Sequence, residues 1–154
     1  MRKIFKAAVT TLALACSLHA MAQASDRGYW QASSNAAKTV TGDISISETK
    51  LTINFLAFII APARILKPEE VSALFDADVN TAGNGQLYKL GIPAAQRFLH
   101  KNTLCGEEKT QWMATWIGGR ELHVAFFSGD AVPVLTFDAV SHSQDLCGSY
   151  TYAR

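Results

Sequence analysis

Residues 110–127, Thr-Gln-Trp-Met-Ala-Thr-Trp-Ile-Gly-Gly-Arg-Glu-Leu-His-Val-Ala-Phe-Phe, decide the fold class. Two runs rich in β-branched and aromatic residues flank Gly118-Gly119, the signature of a β-hairpin with a two-residue glycine turn. A loop made of those two glycines pairs Ile117 with Arg120, Thr115 with Leu122, Met113 with Val124 and Gln111 with Phe126, which gives a largely apolar face for a core. The opposite face pairs Trp116 with Glu121, Ala114 with His123 and Trp112 with Ala125, so His123 lies diagonally between two tryptophans. Indole rings offer flat apolar area with a donor at the edge, which makes Trp112, Trp116 and His123 the candidate binding face. The competing reading is that a helix or the curl of the sheet covers this face and the tryptophans are packing residues.

Outward from this hairpin the text stays β-like. Asp43 to Ser47 alternates polar and apolar, Glu48-Thr49 suggests a turn, and Leu51, Ile53 and Phe55 resume the period of two before an apolar run through Ile60 that Pro62 is expected to end. Pro68, Glu69 and Glu70 open the one clear helix, with Val71, Leu74 and Phe75 at helical spacing. Leu87 to Ile92, Val132 to Phe137 and Gly148 to Tyr152 read as further strands. The expectation is a mainly β domain, a small antiparallel barrel or sandwich of about seven strands with one short helix, closed by its terminal strand.

Length and composition bound the rest. The 154 residues suit a single core, and 49% hydrophobic with 18% charged residues at a formal charge of +1 argues against a disordered chain or a polybasic nucleic-acid binder. Arg2, Lys3 and Lys6, the apolar run from Ala7 to Cys16, and Ala22-Gln23-Ala24 form a signal peptide cleaved after Ala24. Residues 25–154 are then a single β-rich domain, periplasmic or secreted, and loss of a leader with three cations and no acid takes the formal charge from +1 to −2. A lipidated Cys16 is the less favoured alternative, because Ala13 stands where such a signal wants leucine and Leu14 where it wants a small residue. No apolar stretch reaches the roughly 20 residues of a membrane helix.

Processing leaves two cysteines, Cys105 and Cys147, in an oxidising compartment, and one disulfide is the economical pairing. Catalytic signatures are absent from the text: there is no GxSxG elbow, P-loop or GxGxxG, and no cofactor motif. His100, His123 and His142 match no compact metal spacing. The leading reading is a non-enzymatic binding or interaction domain with a protein or envelope-component partner. The alternatives are a small metal-dependent or hydrolytic enzyme built on those three histidines, and a barrel that carries an apolar small molecule. A small basic and aromatic patch, Arg97, His100 and Lys101 beside Phe98 and Leu99, is a secondary candidate. The residues fit a filled or a hollow barrel alike and fix no oligomeric state.

Arg97-Phe98-Leu99-His100-Lys101-Asn102-Thr103-Leu104-Cys105-Gly106 and Leu146-Cys147-Gly148-Ser149-Tyr150-Thr151-Tyr152, with Tyr88-Lys89-Leu90 and Ile92-Pro93-Ala94, resemble segments of a group of small secreted proteobacterial proteins. The resemblance covers the C-terminal half of the mature chain. It implies export and supports pairing of the two cysteines, and it carries no activity or site residue.

Overall fold

The computed structural model describes residues 25–154, so the expected leader and Cys16 lie outside the described residues. Eight strands follow one another around a closed antiparallel barrel: β1 (Gly28–Ala32), β2 (Ile44–Ile46), β3 (Lys50–Ile53), β4 (Leu56–Leu66), β5 (Gly85–Ile92), β6 (Thr110–Gly118), β7 (Glu121–Phe127) and β8 (Leu146–Ala153). Closure is made by β1 against β8, through Gln31↔Ala153 and Ala32↔Tyr152. Closing the sheet removes its outer edges, the standing hazard of small β proteins.

Three short helices decorate the barrel: α1 (Asn35–Val40), α2 (Pro68–Phe75) and α3 (Phe137–Ser141). Of these only α2 is expected from the sequence. It is pinned to β4 by a two-pronged ion pair, Arg64 Nη1 and Nη2 donating to Glu70 at 2.8 and 2.7 Å.

The period of two along the strands sorts the apolar residues into two cores. The barrel interior holds Trp30, Ile44, Ile46, Leu51, Ile53, Tyr88, Leu90, Met113, Leu122, Val124, Phe126, Tyr150 and Tyr152, all buried. Phe126 and Tyr150 meet edge to face at 5.6 Å. Outside the barrel wall, Leu66, Val71, Leu74, Leu87, Trp112, Ala114, Ala125, Phe127 and Leu135 form a second core under α2. Each end of the barrel is covered by an irregular segment. At one end residues 93–109 insert Phe98 and Leu104 into the interior, and the Cys105–Cys147 disulfide ties this segment to the start of β8. The basic and aromatic patch expected there is thus split: Phe98 is a core residue, and Lys101 is exposed.

At the other end the segment Ser25–Arg27 lies across the opening. Asp26 accepts hydrogen bonds from the buried Tyr88 and Thr115 hydroxyls at 2.8 and 2.6 Å. Its backbone carbonyl accepts from Trp30 Nε1. From beyond the end of β8, Arg154 donates to the Ser25 carbonyl at 2.6 Å and stacks its guanidinium 3.9 Å from the Trp30 ring. Ser25 and Arg154 therefore hold each other over the barrel opening.

Several details of the sequence reading need correction. The central hairpin turns at Gly119-Arg120, not Gly118-Gly119, so Gly118 pairs with Glu121, Ile117 with Leu122 and Met113 with Phe126. Gly119 has φ +64°, as the first central residue of a two-residue hairpin turn requires. Gly118 is a glycine for another reason: a Cβ there would stand 2.6 Å from the Trp116 ring. The register moves by two residues, so the assignment of faces survives.

The stretch from Leu51 to Ile60 is two strands and not one, because Asn54 and Phe55 turn the chain. Pro62 does not end β4. Pairing with β3 stops at Lys50↔Ile59, and beyond it β4 pairs with β5 alone, so a residue without an N–H is tolerated on that edge and a bulge follows between Pro62 and Arg64. Val132 to Phe137 is not a strand. Its Leu135 anchors the second core, and Thr136 caps α3 by accepting from the Ala139 N–H at 3.2 Å.

Candidate functional site

The expected binding face is the floor of the second core. Trp112 is buried, with Lys89 Nζ 4.2 Å from its ring centroid, and its Nε1 has no hydrogen-bond partner among the described residues. Trp116 is half-buried and donates from Nε1 to the Ala82 carbonyl at 2.7 Å. His123 lies directly opposite Trp116, not diagonal to it, and the two rings stack at 4.9 Å with Phe75 of α2 beside both. Helix α2 and the loop after it thus occupy the area that a ligand would need, and only the Phe75, Trp116 and His123 rim reaches solvent.

His123 makes that rim sensitive to pH. Burial holds its imidazole below the ordinary histidine value, opposed in part by Glu121, whose carboxylate is 3.8 Å away. A histidine depressed in the folded state stays neutral there while the unfolded chain takes up a proton near pH 6.5. Its contribution to stability is therefore complete above that pH and is lost as pH falls through the folded-state value. Denaturant midpoints measured from pH 7.5 down to 5 are expected to fall in the wild type, and His123→Gln is expected to flatten that slope.

His100, His123 and His142 are not gathered into one site. Among the described residues, no group of three or more His, Cys, Asp or Glu is placed to hold a metal ion. The barrel interior is occupied by its own side chains, and the cavities described below open at the surface.

The first, of about 360 Å³, lies beside the Ser25–Arg27 segment and is lined by Asp26, Arg27, Pro62, Gln86, Tyr88 and Thr115 among others. Its polar groups are largely committed to one another. Asp26 receives both hydroxyls, and the Gln86 amide nitrogen donates to the carbonyls of Arg64 and Leu87. This is the chemistry of a sealed barrel end.

The second cavity, of about 320 Å³, is a groove on the outer wall, and the sequence reading missed it. Tyr29, Ser45 and Thr52 form one cross-strand row on β1, β2 and β3, facing outward because their neighbours Trp30, Ile44, Leu51 and Ile53 face the core. Asp43 lies beneath Tyr29. One of its carboxylate oxygens accepts the Tyr29 hydroxyl and the other accepts the Ala32 N–H at 2.8 Å. These bonds hold the Asp43 carboxyl below its usual range, the tyrosine bond foremost, and raise the tyrosine above its own. The carboxylate orients the ring.

Asn54 and Phe55 complete the groove at the β3–β4 turn. Both have positive φ, +46° and +66°, the pattern of a hairpin turn whose second central residue is ordinarily glycine. Phenylalanine sits in that position and is 97% exposed. A bulky side chain in the left-handed region costs about 1–2 kcal/mol, and nothing in the packing recovers it. Phe55→Gly is therefore expected to stabilise the fold by about 0.5–1 kcal/mol, the strain relief less the backbone entropy of glycine, as read from denaturant unfolding. An unchanged or lowered midpoint would show that the turn is unstrained.

No family model matches the chain, and neither the curated proteins nor the solved structures contain a match to it. Among the described residues, no helix is long and apolar enough to cross a membrane.

Proposed function

We propose that the chain is an exported, non-enzymatic binding domain of the periplasm, and that it recognises its protein or envelope-component partner on the outer groove formed by β1, β2, β3 and the β3–β4 turn. One observation carries this reading: Phe55 is both strained and almost wholly exposed, next to Tyr29, which is 57% exposed and locked by Asp43. Strain retained at a surface position without packing in return is a mark of a residue kept for contact. Export is supported by the basic, apolar and small-residue segments of the leader, and by a disulfide, which persists in an oxidising compartment.

The test is amide-resolved NMR of the ¹⁵N-labelled mature protein, titrated with periplasmic and envelope extracts. Perturbations clustered on Tyr29, Ser45, Thr52, Asn54 and Phe55 support the reading. Perturbations confined to the Phe75, Trp116 and His123 rim, or none, contradict it.

A further inference from the structure

Resting on that reading of the groove, we infer that its ligand is a neutral saccharide, with a pyranose ring seated between Tyr29 and Phe55. The lining separates into two chemistries. Tyr29 on β1 and Phe55 beyond the end of β3 present exposed aromatic rings, and β1 and β3 are two strand spacings apart, about 10 Å. Between them the floor is polar: the Ser45 and Thr52 hydroxyls and the Asn54 carboxamide make no side-chain hydrogen bond among the described residues, so their capacity is free for a ligand.

Charge and hydrogen-bonding pattern together decide the ligand class. The one ionisable carboxylate in the lining, Asp43, already accepts from Tyr29 and Ala32 on its two oxygens, and no Lys or Arg lines the groove. Asp43 therefore keeps its negative charge and a lone pair on each oxygen, and beside it stand only neutral donors and acceptors. A phosphate group would lose its hydration there against a like charge, and an ammonium, which only donates, leaves the hydroxyl and amide donors of the floor unused, whereas sugar hydroxyls both donate and accept and apolar C–H faces match aromatic rings. The volume, about 320 Å³, lies at the lower end of the roughly 300–1,000 Å³ of small-molecule sites. A short oligosaccharide that places a single ring in the groove and extends out of it fits this size.

The experiment titrates the ¹⁵N-labelled mature protein separately with chitotetraose, cellotetraose and maltotetraose, with phosphatidylcholine vesicles and a protein dilution series in parallel. At least one saccharide is expected to shift the Ser45, Thr52 and Asn54 amides and to receive saturation transfer from the Tyr29 and Phe55 rings. Phe55→Ala and Tyr29→Ala, both at exposed positions and checked by their melts, are each expected to weaken that binding about tenfold. Phe55→Gly keeps the turn and is expected to weaken it equally, so a loss of binding is separable from a loss of fold. If a periplasmic extract moves the groove signals and none of the three saccharides does, the saccharide assignment falls while the groove stands as the contact face. If neither moves them, both fall. Movement caused instead by vesicles, or by self-association on concentration, also overturns the saccharide.

Discussion

A Cys105→Ser, Cys147→Ser variant is expected to melt roughly 10–20 °C below the wild type, a loss of about 4 kcal/mol for the loop this bridge closes. The two cysteines are 42 residues apart in sequence, with β6, β7 and α3 between them. Their bond joins the segment that inserts Phe98 and Leu104 into one barrel end to the strand that closes the barrel. Without it, that cover is held by contacts of those two side chains and by single hydrogen bonds such as Asn102 Nδ2 to the Thr39 carbonyl at 3.2 Å. Thermal melts of the wild type with and without a reductant should reproduce the difference. Identical melts would show that the bridge does not form.

The second large effect is expected in the barrel interior. Phe126 is fully buried near the end of β7, edge to face with Tyr150, with Met113 directly across on β6. Phe126→Ala removes most of that side chain from a closed wall that cannot collapse freely, and a cost of about 3–5 kcal/mol is expected from denaturant unfolding. Phe126→Leu, which keeps more of the volume, should cost clearly less. A loss below 1 kcal/mol for the alanine variant would mean that the interior is loosely packed or already hollow.

Much of the barrel is legible in the residues because strand periodicity is a local signal. Tyr88, Leu90 and Ile92 read as one inward face, as do Tyr150 and Tyr152, and all five are buried in the interior core. The central hairpin is legible for the same reason, although two adjacent glycines cannot say which of them opens the turn. In the fold Gly119 takes the positive φ of the turn, while Gly118 lies under the Trp116 ring, a contact between side chain and backbone that only the folded strand creates.

What was not legible depends on partners distant in sequence. β1 carries one inward side chain of consequence, Trp30, and pairs with β2 and β8, so nothing within its five residues declares a strand. Val132 to Phe137 has strand composition and no strand to pair with. The tryptophan face reads as a platform until α2, fixed by Arg64 and Glu70, is laid across it. The outer groove was hidden because Phe55 continues the apolar alternation of β3, and its turn conformation breaks the rule that glycine fills such a position. Departure of a local residue choice from the demands of the fold is where function is expected to surface.

The most direct test of the account is therefore to measure stability and ligand response together in Phe55→Gly. The account predicts a higher denaturant midpoint and loss of the groove perturbations that periplasmic extract produces in the wild type. A stabilised variant that keeps those perturbations would contradict it, because Phe55 would then be strained without serving recognition.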